Sequence, residues 1–187
     1  MEINILLYLL SDMNKKLTVK ELIILSMLAV IIFTLKLALS ILPNIEVVTF
    51  LLILFSSIIG KKTYYIVTIY VLLEVFYFGF GFWTLGYLFL WPFLVICSIF
   101  LKRILQTSNI ARAILAGVFG FCFDMFYAFI IMLFAGVWAG ITYFLSGIVF
   151  SVVHMLGNYF IMLCLGEKIY AIVNRLYLKT QQGERGL

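Results

Sequence analysis

The stretch ILAGVFGFCFDMFYAFIIMLF, residues Ile114–Phe134, holds 21 residues and a single ionisable side chain, Asp124. A helix that crosses the hydrocarbon core of a bilayer needs about 20 consecutive apolar residues. Each backbone amide in lipid must be satisfied within its own helix or in a closed barrel, and this run lacks the polar and apolar alternation of a barrel strand. The stretch therefore predicts a transmembrane helix.

Five further apolar runs have the same character, and the chain of 187 residues is 66% hydrophobic and 11% charged. A soluble domain has about 25% charged residues, and six spans would use about 120 positions. We predict an all-α integral membrane protein with six transmembrane helices in one domain, residues 15–178. Residues 1–14 form an interfacial or extension segment, and residues 179–187 form a flexible tail. The other five predicted spans are Lys20–Leu42, Val47–Gly60, Tyr64–Phe78, Leu85–Leu101 and Ile141–Leu165.

The distribution of positive charge predicts the orientation. Twelve of the 13 Lys and Arg residues precede the first span, follow the last, or lie in the connections after the second and fourth spans. The connections Pro43–Glu46, Gly79–Thr84 and Ala135–Gly140 contain none. Basic loops stay on the cytoplasmic side, so both termini are predicted to be cytoplasmic, as in a prokaryotic plasma membrane protein. The net charge of +5 follows from this topology and does not indicate nucleic acid binding.

Five ionisable side chains lie within or beside the predicted spans, where each costs about 2.5–3.5 kcal/mol on insertion scales. Lys36, Glu46 and Glu74 fall towards the outer face, and Asp124 and His154 fall near the middle of the bilayer. His154 and Asn158 are four residues apart on one helix face, which we expect to point at Asp124. Two interpretations stay open for this group: a structural hydrogen-bond cluster, or the floor of a ligand cavity. A proton relay is disfavoured because the chain has one His and no ladder of carboxylates.

Aromatic residues make up 18% of the chain, and Trp83, Tyr87, Trp91 and Trp138 lie near the predicted outer boundary. They fit either an interfacial belt or the wall of a ligand site. Six aromatic residues also surround Gly79 and Gly81 in one short outer loop, which suits a flexible aromatic lid. These six residues are Phe76, Tyr77, Phe78, Phe80, Phe82 and Trp83.

Signatures of catalysis are missing from the sequence. There is no HExxH, no GxSxG with a matching triad and no phosphate-cradling glycine loop. Cys97, Cys122 and Cys164 each sit in an apolar run without the spacing of metal ligands. We predict that the chain is not an enzyme and binds no cofactor or metal itself.

Four features together resemble the substrate-binding S components of energy-coupling factor (ECF) transporters, over residues 15–178. They are the first outer loop Leu42–Thr49 (LPNIEVVT), the run Glu74–Trp83, the pair Phe123-Asp124 and the face His154-xxx-Asn158. The resemblance implies a subunit that captures a vitamin or related micronutrient at the outer face, of the cobalamin, pyridoxine or hydroxymethylpyrimidine type. It also implies partners, namely one transmembrane scaffold subunit and two ATPase subunits that use the ATP.

The resemblance extends to residues. The expected substrate-binding residues are Asn44, Glu46, Glu74, Trp83, Tyr87, Trp91, Asp124, Trp138, His154 and Asn158. Ser26, Ala29 and Val30 on the first helix are the expected docking residues, in place of the small-xxx-small pattern of the family. A strongly anionic ligand is disfavoured because Lys36 is the only cation predicted to be buried.

Two other classes of membrane protein share this length and helix content. A non-transport scaffold, similar to the small rod-shape-determining subunit, would have partners but no ligand. A stand-alone ion-coupled carrier would usually show repeated, broken helices in two halves, and no repeat is evident.

Overall fold

The computed structural model describes residues 17–41 and 45–185, with side chains described as far as Thr180. Every regular element in these ranges is helical, which confirms the all-α prediction. The 3-10 turn Gly60–Lys62 joins the second and third helices, and Val48–Phe78 counts as one of five helical segments long and apolar enough to cross a membrane. The α-helices are α1 Val19–Ala38, α2 Val48–Ile59, α3 Thr63–Phe78, α4 Phe82–Phe100, α5 Lys102–Leu105, α6 Asn109–Ala135 and α7 Val137–Arg185.

The helix boundaries follow the apolar runs closely, with one large difference at the end of the chain. We expected the last span to end at Leu165, but α7 continues to Arg185 and contains 49 residues. At 1.5 Å per residue such a helix is about 70 Å long, far more than the roughly 30 Å of hydrocarbon. The sequence beyond Leu165 is amphipathic rather than wholly apolar. A hydropathy run therefore ends there although the helix does not.

Two ion pairs show that α1 and α3 run in the same direction. Glu21 near the start of α1 pairs with Lys62 at the start of α3. Lys36 near the end of α1 pairs with Glu74 near the end of α3, with 2.8 Å between Nζ and Oε2. The chain turns at Gly60, whose φ of +70° is a backbone conformation that favours glycine. Because α2 connects the end of α1 to the start of α3, it runs antiparallel to both.

Helix α2 is the centre of the bundle. All 12 of its residues are buried, and it contacts α1, α3, α4, α6 and α7. A 12-residue helix is about 18 Å long, so α2 is too short to cross the hydrocarbon alone. Its neighbours shield it from lipid along its whole length.

Helices α6 and α7 form the most extensive helix pair, with glycines on α6 that allow close backbone contact. A Cβ at Gly117 would lie 3.3 Å from the carbonyl oxygen of Met155, and one at Gly120 would lie 2.9 Å from that of His154. Small residues at such positions are how helices approach closely in lipid.

A buried cation fixes the end of this pair that lies near α5. Arg112 is 1% exposed and donates to Glu167 Oε2 at 2.5 Å and to the carbonyl oxygen of Leu105 at 2.6 Å. Its guanidinium also lies 4.4 Å from the ring centroid of Tyr170. The prediction that Lys36 is the only buried cation was therefore wrong. Arg112 belongs to the first turn of α6, where a carbonyl, a carboxylate and a ring replace water.

Candidate functional site

The site is organised around Glu46, which lies just before α2. Its carboxylate accepts hydrogen bonds from the backbone amides of Val48 and Thr49, the latter at 3.0 Å to Oε2. The first amides of a helix have no partner within the helix and carry the positive end of its dipole, so a carboxylate here stabilises the start of α2.

Two side chains of α7 reach the same carboxylate. Asn158 Nδ2 lies 3.2 Å from Glu46 Oε1, and His154 Nε2 lies 3.5 Å from it. The shared face of His154 and Asn158 therefore meets Glu46, and the expectation that it points at Asp124 was wrong. Gly120 allows this arrangement, because a Cβ there would lie 2.9 Å from Asn158 Nδ2 and from the backbone carbonyl oxygen of His154.

Asp124 instead pairs with α7 one turn nearer the start of that helix. Its Oδ2 accepts a hydrogen bond of 2.7 Å from Ser151 Oγ. Asp124 lines a separate groove with Tyr143 and Phe150, on a different face of α6. The structure thus splits the predicted central cluster into two groups.

The charge state of Glu46 follows from its neighbours. Burial alone raises the pKa of this carboxyl, which lies outside the helices. The hydrogen bond and electrostatic interaction with His154 and the hydrogen bonds from Thr49 outweigh burial, so the pKa lies below its ordinary value of 4.5. Glu46 is therefore an anion at neutral pH.

The ion pair between Lys36 and Glu74 lies at the same end of the bundle. The Glu74 side chain is 2% exposed, and the Lys36 ammonium also sits 4.3 Å from the ring centroid of Phe78. Only Oε2 of Glu74 takes part in the pair, and Oε1 is buried without a hydrogen-bond partner among the described residues. The pair links α1 to α3.

Aromatic rings from α4 and α6 form one wall of the site. Tyr87 and Trp91 are four residues apart on α4, with ring centroids 5.4 Å apart. Phe123 of α6 lies 5.5 Å from Trp91 and 5.3 Å from the imidazole of His154. These spacings are those of edge-to-face and tilted aromatic pairs. The rings therefore form one continuous wall that ends at the imidazole of His154.

A cavity of about 290 Å³ lies between this wall and the charged groups. Its volume is at the lower end of the range of roughly 300–1,000 Å³ that is typical of small-molecule sites. The lining combines flat rings with groups of both charges. The residues are Lys36, Leu39, Ser40, Ile45, Glu46, Val48, Tyr87, Trp91, Phe123 and His154.

Buried polar atoms without a partner concentrate around the cavity. Proteins hydrogen-bond the great majority of such atoms, so each one requires an explanation, such as a bound water or ligand. Trp91 lines the cavity, and Thr49, Glu74 and Asn158 each form a hydrogen bond with a lining residue. The ring of Tyr70 lies 6.3 Å from that of Trp91. Within the described ranges these atoms include Thr49 Oγ1, Tyr70 OH, Glu74 Oε1, Trp91 Nε1 and Asn158 Oδ1.

Other expected site residues lie elsewhere. Asn44 falls outside the described residues. Trp138 is 79% exposed at the start of α7, and Trp83 contributes its backbone carbonyl to the hydroxyl of Tyr127 at 2.9 Å. The cavity lining includes neither tryptophan. An aromatic residue near the boundary is thus a weak indicator of a site unless its helix face is known.

None of the six residues of the predicted aromatic lid lines the cavity. Phe76 is 92% exposed and Phe80 is 73% exposed, so these rings point away from the bundle. The cavity is bordered instead by Leu39, Ser40 and Ile45, which flank the connection between α1 and α2. Gly79, with a φ of +79°, ends α3 and turns the chain outward.

The three expected docking residues on α1 differ in exposure. Ala29 is completely buried in the core. Ser26 and Val30 line an exposed groove with Leu22 and Met27. Ala29 is therefore excluded from a docking face, because the bundle covers it.

Tyr70 and the ring of Phe123 contact the site but were not among the predicted substrate-binding residues. Both residues follow a helical spacing in the sequence. Tyr70 lies four residues before Glu74, and Phe119, Phe123 and Tyr127 recur every four residues along one stripe of α6. Such stripes are common on membrane helices, so the signal becomes informative only when the facing helix is known.

Comparisons of the chain with models of protein families, with curated proteins and with solved structures found no match. Within residues 17–41 and 45–185 no three His, Cys, Asp or Glu residues are grouped as metal ligands would be. The functional conclusion therefore depends on the geometry of the cavity and its lining.

Proposed function

We propose that this chain is the membrane-embedded substrate-capture subunit of an ECF-type importer. It binds a vitamin or related micronutrient at the outer face and delivers it inward together with a transmembrane scaffold subunit and two ATPase subunits. The observation that carries the proposal is the cavity of about 290 Å³, with Tyr87, Trp91 and Phe123 on one side and Lys36 and Glu46 on the other.

The proposed topology has six crossings, with both termini in the cytoplasm of a prokaryote. Parallel α1 and α3 support it, because the chain returns through α2 between them, and the surrounding helices shield this short helix from lipid. The Lys61-Lys62 turn would face the cytoplasm, in agreement with the positive-inside rule. The cavity lies at the opposite end of α1 and α3, and so at the outer face.

The size of the cavity favours a ligand with one flat ring. Pyridoxine and hydroxymethylpyrimidine each consist of a single substituted heterocycle, whereas the corrin of cobalamin is several times larger than this cavity. A ring would stack on Trp91 and Tyr87, and its hydroxyl and nitrogen groups would meet Glu46, Lys36 and His154. Such a site combines apolar walls with a few oriented polar groups.

Energy for release comes from the partner subunits in this proposal, since the sequence carries no glycine loop that would hold nucleotide phosphates. The exposed groove on α1 that contains Ser26 and Val30 is the proposed contact with the scaffold subunit. Ser26 is the small side chain in the lining of this groove, and small residues allow the close helix packing found in lipid.

Ligand binding by the purified full chain tests the proposal. Mass spectrometry of small molecules retained through detergent purification identifies a bound compound, and titration calorimetry with pyridoxine, hydroxymethylpyrimidine and cobalamin ranks the classes. We expect a single-ring ligand to bind and Trp91→Leu to weaken binding about tenfold, since an aromatic pair contributes about 0.5–1.5 kcal/mol. Trp138→Leu is the matched control and should leave affinity unchanged.

The proposal is refuted if no small molecule is retained and none of the three compounds binds to a folded sample. Equal loss of affinity in Trp91→Leu and Trp138→Leu would refute the placement of the site.

One observation favours the scaffold alternative. Glu46 receives hydrogen bonds from Val48, Thr49, Asn158 and His154, which is what a purely structural joint between α2 and α7 requires. A scaffold would retain this joint without any ligand, so the binding experiment distinguishes the two functions.

A further inference from the structure

Asp124 lies in a groove between α6 and α7 that is separate from the cavity. The groove has a volume of about 340 Å³ and is lined by Asp124, Tyr143, Ser146, Gly147 and Phe150. Asp124 is the sixteenth of the 27 residues of α6, close to the middle of the helix. Its carboxylate therefore lies far from both ends of a helix that is long enough to cross the bilayer.

The surface around this groove is apolar and exposed. Met125, Phe129, Val149 and Phe150 all present large exposed side chains, as a surface in contact with lipid does. A carboxylate in such a place costs about 2.5–3.5 kcal/mol on insertion scales, and ionisable residues in membrane helices usually pair with another group. The hydrogen bond from Ser151 Oγ is the single one that the described residues supply to Asp124. A carboxyl group has two oxygens that can accept several hydrogen bonds, and one hydroxyl supplies a single one.

The groove also has room for a second helix. A Cβ added at Gly147 would meet nothing within 4 Å, so the backbone of α7 is accessible there. Ser146 and Gly147 are the small residues in the lining of the groove. Small residues allow close approach of helices in lipid.

We propose that this groove docks a transmembrane helix of a partner protein that carries Lys or Arg near mid-bilayer. The positive side chain would pair with Asp124 while the helix packs over Gly147. A two-fold pairing of identical chains through this groove is disfavoured, because it would bring two Asp124 carboxylates together. In the described part of the chain, Lys36 and Arg112 already pair with Glu74 and Glu167, so neither of them is the partner of Asp124. This inference is independent of the ligand cavity.

A designed helix tests the inference with the full chain in liposomes of neutral lipid. The probe is a Leu/Ala transmembrane peptide with one central Lys and a dansyl group, and energy transfer from the tryptophans of the chain reports association. We expect the Lys peptide to bind wild type about tenfold more tightly than Asp124→Asn, while an all-Leu/Ala peptide does not distinguish them. Gly147→Leu should abolish binding of the Lys peptide by filling the groove. Val149→Leu on the neighbouring lipid face is the matched control.

A second measurement keeps the test decisive if a variant folds poorly. Dicyclohexylcarbodiimide modifies protonated carboxyls in lipid, and peptide mass spectrometry locates the product. Labelling of Asp124 in the wild type should fall when the Lys peptide is bound. The inference is overturned if Asp124 is strongly labelled and the chain binds the Lys peptide and the Leu/Ala peptide equally well. That result would indicate a carboxyl group that binds a proton.

Discussion

Gly120→Ala should separate α6 from α7 at the point where α7 reaches Glu46. An added Cβ would lie 2.9 Å from the His154 carbonyl oxygen and 2.9 Å from Asn158 Nδ2. Real Cβ atoms essentially never approach other heavy atoms this closely, and the carbonyl is backbone that cannot rotate away. The two helices must therefore move apart, or Asn158 must leave its hydrogen bond to Glu46.

The magnitude follows from these two effects. Overpacking in a filled interior costs about 1–3 kcal/mol, and loss of a hydrogen bond to a charged group costs about 1.5–3 kcal/mol. Because the two helices can relax in part, we expect the combined loss in the free energy of unfolding to be about 3 kcal/mol. At roughly 2–4 °C per kcal/mol for a chain of this size, the midpoint of thermal unfolding should fall by about 6–12 °C.

Thermal unfolding in detergent, followed by circular dichroism, measures this shift. Gly147→Ala is the matched control, since its Cβ meets nothing within 4 Å and alanine favours helix. A Gly120→Ala midpoint within about 2 °C of both wild type and Gly147→Ala would refute the close contact between α6 and α7.

The remaining predictions concern the charged groups. Lys36→Met and Glu74→Leu should each destabilise the chain by about 3 kcal/mol, because each leaves one buried charge without its partner. The double variant should recover most of that loss in a double-mutant cycle. Additive effects of the two substitutions would show that the pair is not coupled. The lowered pKa of Glu46 stabilises the folded chain above the ordinary value of 4.5, and this contribution is lost as the pH falls through the folded pKa. Unfolding midpoints measured between pH 7 and pH 3 should therefore fall more in wild type than in Glu46→Gln, and parallel curves would contradict the assignment.

The helices could be predicted from sequence because lipid imposes a simple requirement on each of them. Apolar runs had to be helices, and the observed boundaries follow the predicted ones closely except at the end of α7. The residues after Leu165 form an amphipathic helix, whose polar side chains end the hydropathy run but do not end the hydrogen bonding of the backbone. Counting apolar residues therefore detects the spans and misses the extension.

The site was harder to predict, because its contacts depend on how the helices are aligned. The i,i+4 spacing placed His154 and Asn158 on one face correctly, but it could not show whether that face meets α6 or α2. The absence of a side chain at Gly120 leaves space for α7 to approach α6. The effect of that space depends on which helix faces Gly120, and this cannot be read from the sequence. The burial of Arg112 was missed for a related reason, since its carboxylate partner Glu167 lies 55 residues later in the chain.

The hydrogen bonds between Glu46 and α7 have a consequence for biogenesis. Glu46 lies 108 residues before His154, and α2 has no face that meets lipid. The amino-terminal helices therefore cannot complete their packing until the ribosome has made the last helix. Up to that time the polar start of α2 needs a temporary environment, in the insertion machinery or against another protein.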